Sequence, residues 1–167
     1  MKIRYLILSA WLACGTVAAT APAHATGRWV GPASLEGAWR VAIRPYVCAT
    51  GVDVPNAPPV VSYLLFGRGG TLVETTSNPA FDPGQRSPGL GTWERTGRST
   101  YRSVIRAWIQ FDSAGGRYKR GRQVIDQGIE FNEEGTAWTS NASVTFYDAA
   151  GEIALAGCAR ATAERLD

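Results

Sequence analysis

The chain has 167 residues, with 17 lysines and arginines against 14 acidic residues, three cysteines and one histidine. That length suits one domain, and a net charge of +3 lacks the marked basic excess of a nucleic-acid-binding protein. The single histidine, His24, also leaves little room for histidine-based catalysis or metal ligation.

The N-terminus has the three parts of a secretory signal. Lys2 and Arg4 form a positive start, Tyr5 to Ala13 an apolar core, and Ala23-His24-Ala25 a small-x-small cleavage site. The apolar core falls well short of the roughly 20 residues needed to span a bilayer, so no transmembrane segment is expected. A competing reading makes the protein a lipoprotein acylated at Cys14, after Leu12-Ala13, although Trp11 stands where such signals carry a leucine-like residue. Cleavage after Ala25 removes His24 and Cys14 and leaves 15 basic residues, Lys119 the only lysine among them, against 14 acidic ones. The exported protein is then periplasmic or secreted. Its two remaining cysteines, Cys48 and Cys158, are expected to pair in an oxidising compartment.

Residues 26–36 read as an irregular lead-in with Gly27, Gly31 and Pro32. Beyond it no segment shows the caps and 3.6-residue stripe of a helix; β-rich runs alternate with turn signals instead. Trp39, Val41 and Ile43 alternate with Arg40, Ala42 and Arg44. Val60 to Phe66 is nearly all apolar, Thr71 to Thr76 is β-branched, and a short run surrounds Trp93. Longer runs follow at Tyr101 to Phe111, Tyr118 to Phe131, Thr136 to Tyr147 and Glu152 to Ala163. Asn132-Glu133-Glu134-Gly135 and Asp148-Ala149-Ala150-Gly151 carry an acceptor first and a glycine fourth, the signature of a type I turn closing a short hairpin. Ser113-Ala114-Gly115-Gly116 and Gly67-Arg68-Gly69-Gly70 serve the same purpose. Short connections force antiparallel neighbours.

The predicted fold is all-β, an eight-stranded antiparallel up-and-down (meander) β-barrel, soluble, over residues 37–167. Such a meander is either an open sheet folded on itself or a closed barrel, and the cysteines favour closure. Cys48 lies beyond the first strand and Cys158 in the last, and these strands meet only if the sheet closes. With Trp39, Val41, Ile43, Ile153, Leu155 and Ala159 inward, both cysteines face outward and clasp the seam. A membrane barrel is excluded by the outward charges Arg40, Arg44, Arg102, Arg106, Arg120, Arg122, Asp126 and Glu130, since an arginine facing lipid at the midplane costs about 2–4 kcal/mol.

At the first strand, Leu35-Glu36-Gly37-Ala38-Trp39 resembles the Gly-x-Trp opening of lipocalin-like (calycin) barrels, and Gly91-Thr92-Trp93 repeats the form. In architecture the chain is equally similar to small exported bacterial barrels of unknown function and to allene oxide cyclase-like and dirigent-like barrels. The resemblance covers most of the mature chain as a strand pattern and a tripeptide as a motif. It implies that Trp39 plugs one end beneath an arginine of the last strand. Arg160 and Arg165 are the candidates, and strand parity puts Arg160 outside.

Candidate chemistry lies in the lumen. With Leu72 inward, Glu74 and Thr76 share its face; in the opposite phase Val73 and Thr75 are inside and Glu74 is in water. Gln123 and Gln127 share a face with Ile125, Ile129 and Phe131, either as ligand contacts or as satisfied core residues. Tyr101 follows Ile105, Ile109 and Phe111. The irregular stretch Ser77 to Gly89 is either a lid, with Arg86 meeting an acidic ligand, or a stiff loop. Lys119, among Arg117, Arg120 and Arg122, reads as a solvated hairpin face, and Glu133-Glu134 as a solvated turn. No cofactor or metal is called for, and no nucleic-acid partner. Three functions remain. The first is binding of a small apolar molecule by Trp39, Glu74, Arg86, Trp93, Tyr101, Gln123 and Gln127. The second is a cofactor-free isomerase or cyclase in which Glu74 or Tyr101 moves a proton, and the third a structural or partner-binding barrel without ligand.

Overall fold

The computed structural model describes residues 34–111 and 119–166. The expected signal peptide with Cys14 and His24, the start of the lead-in, the turn at 113–116 and Arg117 lie outside the described residues. Eight strands follow in chain order: β1 (Gly37–Tyr46), β2 (Val60–Gly67), β3 (Thr71–Ser77), β4 (Gly89–Arg95), β5 (Thr100–Phe111), β6 (Lys119–Phe131), β7 (Ala137–Tyr147) and β8 (Ile153–Arg165). Each pairs antiparallel with the next, and β8 returns to β1, so the sheet is a closed meander barrel. No helix among the described residues is long and apolar enough to cross a membrane.

The turns behave as their composition predicts. Asn132 Oδ1 accepts from the backbone N–H of Thr136 and Ala137, and Asp148 Oδ1 from those of Ala150 and Glu152. Gly135 and Gly151 close both turns with φ of 69° and 91°, a region costly for other residues. Inward positions alternate as expected, with Trp39 and Val41 of β1, Leu64 and Phe66 of β2, and Ile105 and Ile109 of β5 all buried. The charges Arg40, Arg44, Arg106, Arg120, Arg122 and Glu130 stand exposed on the outer wall.

One end is sealed by aromatic rings. Trp39 meets Phe131 and Trp138 with ring centroids 5.5 and 5.9 Å apart, and Trp93, Tyr101 and Phe131 continue the contacts at 5.8 and 5.6 Å. Leu35 lies fully buried beneath them, its carbonyl accepting the Trp39 indole N–H at 2.9 Å. Arg165, not Arg160, covers the tryptophan. Its guanidinium lies 4.4 Å from the Trp39 ring and donates to the carbonyls of Glu36 and Ser34, at 2.8 Å each. Gly37 makes this possible, because a Cβ there would come within 2.6 Å of Arg165 Nη1.

The β1–β8 seam is held at its other end by the Cys48–Cys158 disulfide, which closes a sequence separation of 110 residues. Beside it, Arg160 pairs with Asp53 and lies over the Tyr46 ring at 4.7 Å. Ile153 and Leu155 depart from expectation. They are 64% and 61% exposed, Leu155 lining the mouth of the lumen opposite Phe146 rather than packing in its core. The β1–β8 ladder ends at Tyr46 and Cys158, so Ile153 to Gly157 pair only with β7 and rise past the rim, and the β7–β8 register slips between Phe146 and Tyr147.

Two outcomes follow from these contacts. Replacing Cys48 and Cys158 with serine should lower the unfolding free energy by about 4–5 kcal/mol, read from urea denaturation, because the lost link closes a long loop. On the outer wall Arg102 donates to Asp126 from Nε (2.9 Å) and Nη2 (2.6 Å), and these hydrogen bonds hold the Asp126 carboxyl below the usual carboxylate range. A carboxyl more acidic folded than unfolded stabilises above its unfolded pKa of about 4, and that contribution is lost as pH falls through the folded value. Asp126→Asn should therefore lower the thermal midpoint at neutral pH and leave it unchanged in strong acid.

Candidate functional site

The end opposite the aromatic plug is open. A cavity of about 350 Å³ enters there, walled by Ile43, Val60, Ile125, Val144, Phe146 and Phe81. A smaller space of about 50 Å³ continues toward the plug and shares Ile43, Glu74, Ile125, Val144 and Ala159 with it.

The polar floor of this cavity is built from four elements. Glu74 of β3 points inward, its exposure only 3%, while Val73 is exposed on the outer wall. Its Oε1 accepts from the Ser62 hydroxyl of β2 at 3.0 Å, and its Oε2 lies 2.7 Å from Arg86 Nη2. The Arg86 side chain is 5% exposed. Its Nε donates to Gln123 Oε1 of β6 at 2.6 Å and its Nη1 to the Ser87 carbonyl at 3.2 Å. Gln127 forms a separate, satisfied cluster deeper in the barrel, donating to Ser103 and accepting from Ser140.

Arg86 reaches the interior through a register slip. The β3–β4 ladder has only four residue pairs and stops at Glu74 opposite Gly89. Above it, the loop before β4 prolongs that strand along β5: Gln110 N–H donates to the Gln85 carbonyl, Ser87 N–H to the Trp108 carbonyl, and Arg86 bridges Ile109. On β4 proper Leu90 faces Arg106, a register that would set Ser87 opposite Ile109. One residue is gained around Pro88, which has no N–H to contribute, and Arg86 takes the position facing the buried Ile109. Gly89 leaves the room, since a Cβ there would meet Glu74 Oε2 at 2.6 Å and Ile105 Cγ2 at 2.5 Å.

The sequence-derived residues thus divide into two groups. Glu74, Arg86 and Gln123 are brought together and line the mouth cavity. Trp39, Trp93 and Tyr101, expected as ligand contacts, belong to the plug and do not line that cavity. Gln127 borders only the smaller inner space. Arg86 meets the acidic Glu74 of its own chain. Glu74 and Tyr101, the alternative proton carriers of the enzyme reading, lie apart: the register sets Glu74 level with Ala107, about 20 Å of strand from Tyr101. Sequence reasoning missed Ser62, Phe81 and Phe146; only the inward phase of Val60, Leu64 and Phe66 signalled Ser62. No group of three or more metal-ligating side chains occurs among the described residues.

Compared with family models, curated proteins and solved structures, the chain matches none. What the lumen can do is therefore set by its own residues.

The ion pair has a measurable consequence. Removing one charge leaves the other buried and uncompensated, at a cost of about 3–5 kcal/mol, whereas an apolar pair of similar volume is often neutral. Arg86→Met should destabilise the fold by that amount in urea unfolding, and adding Glu74→Leu should recover most of the loss.

Proposed function

We propose that this is an exported, lipocalin-like barrel that holds a small, largely apolar molecule in the open end of its lumen. The observation that carries the reading is the asymmetry of the interior: one end filled with aromatic rings, the other an apolar-walled cavity of about 350 Å³ above a buried polar floor. That volume is within the roughly 300–1,000 Å³ of small-molecule sites, which pair apolar walls with a few placed polar groups. The glycine, tryptophan and arginine at Gly37, Trp39 and Arg165 support the lipocalin-like assignment. The Cys48–Cys158 disulfide supports an oxidising compartment outside the cytoplasm.

Native mass spectrometry of the purified protein should show a retained small molecule, and the neutral dye Nile red should bind with increased fluorescence. Ala159→Phe places a ring where the two spaces meet, and it should weaken dye binding at least about tenfold while the barrel stays folded. Protein that is always ligand-free and indifferent to the dye would sink the reading.

A further inference from the structure

We infer that the barrel carries a second site, on its outer wall, that takes a small organic anion with an apolar body, the acid group seated on Arg44. The site is a groove of about 470 Å³ between β1 and the loop that joins it to β2. It shares Ile43, Pro45, Pro58 and Val60 with the lumen mouth, as the wall and rim between the two spaces. Arg40, Ala42, Arg44 and Val61 lie in the opposite strand phase, facing away from the lumen, so their side chains form the groove floor.

The floor is shallow where a ligand body would lie. Ala42 stands level with Val61, and an arginine rises two residues away on either side of it along β1. The far wall is the loop from Val54 to Pro59, and it is fixed at several points. The Val54 N–H donates to the Pro45 carbonyl at 3.0 Å, and Tyr46 bridges Asp53. Cys48 is bonded to Cys158, and Arg160 holds both Asp53 and the Gly51 carbonyl. Pro55, Pro58 and Pro59 restrict the backbone further. A wall already in place loses little freedom when a ligand arrives.

Charge decides what fits. Among the lining residues the ionisable ones are Arg40, Arg44 and Asp53, and Asp53 is paired with Arg160. From β8, Glu164 stands level with Arg40, whereas Arg160 stands level with Arg44. Arg40 and Arg44 are exposed, and neither has a hydrogen bond or ion pair with the described residues. Glu164 offsets the charge at Arg40, so the positive excess lies at the Arg44 end. A carboxylate or sulfonate offers that guanidinium two acceptor oxygens, while an apolar body covers Ala42, Val61 and Val54. A neutral apolar molecule has nothing to offer Arg44. The site does not depend on the lumen being filled.

Fluorescence titration of the purified protein with anilinonaphthalene sulfonate at neutral pH tests this, with Nile red reporting on the lumen in parallel. The sulfonate should bind, and octanoate should displace it where octanol does not. Arg44→Gln should weaken its binding at least about fivefold, the loss of one charge-assisted hydrogen-bonded contact. That variant should keep its thermal midpoint and its Nile red binding, since Arg44 has no partner in the fold to lose. Ala42→Glu, which sets a carboxylate on the floor, should abolish sulfonate binding. Ala159→Phe, which fills the lumen, should leave it unchanged. Absence of sulfonate binding, binding that survives Arg44→Gln or Ala42→Glu, binding lost in Ala159→Phe, or octanol competing as well as octanoate would each overturn the inference. Sulfonate binding that depends on Arg44 in a protein indifferent to Nile red would remove the lumen reading and leave this site standing.

Discussion

Burying a carboxylate and a guanidinium inside a closed barrel is expensive, and much of the open half of this protein is arranged to make that burial tolerable. An ion pair away from water holds only when its geometry is good and its remaining hydrogen-bonding groups are met. Here Ser62 supports the carboxylate and Gln123 the guanidinium, from opposite sides of the lumen. Gly89 gives up its side chain to make room, and the slip around Pro88 turns Arg86 inward. The pair thereby fastens β2, β3, β6 and the loop before β4 to one point. The shape of the cavity mouth depends on that fastening, because Ala80 and Phe81 of the same loop form part of its wall.

Closure of the barrel poses a second problem. The first and last strands are separated by most of the chain and must find each other. The seam between them is held at both ends by an arginine of β8 lying over an aromatic ring of β1: Arg165 on Trp39 at the sealed end, Arg160 on Tyr46 at the open end. Such contacts are worth about 0.5–2 kcal/mol each, depending on exposure. The disulfide adds a covalent link at the open end, where no aromatic plug holds the strands together. The two ends thus solve one requirement by different means, and the difference leaves one of them open.

Much of the fold was legible in the sequence, and for physical reasons. Strand alternation has a period of two, so Trp39, Val41, Ile105 and Ile109 declared their common side. The turns at Asn132 and Asp148 depend on their own side chains and on a glycine three residues later, all within a few residues. The pairing of Cys48 with Cys158 was expected because the third cysteine, Cys14, falls within the stretch that reads as a signal peptide. What failed was reasoning that needed the end of a ladder. Ile153 and Leu155 keep a strand pattern, but β1 has already ended beside them, and parity does not report where a neighbour stops.

The site was legible only as a list of residues. The sequence by itself determined that a glutamate and two glutamines occupy runs able to face a lumen, that an arginine stands on the loop after the first of them, and that no histidine follows His24 to compete with them. The Gly-x-Trp opening was legible as a motif, whereas the reason for its glycine, the room that Gly37 leaves for Arg165, lies in the last strand. Only the tertiary structure decided the inward phase of Glu74, the slip that admits Arg86, and the removal of Trp93 and Tyr101 to the sealed end. Each of these depends on the register between strands distant in the chain. A shift of one residue there exchanges inside for outside, and no local pattern records it.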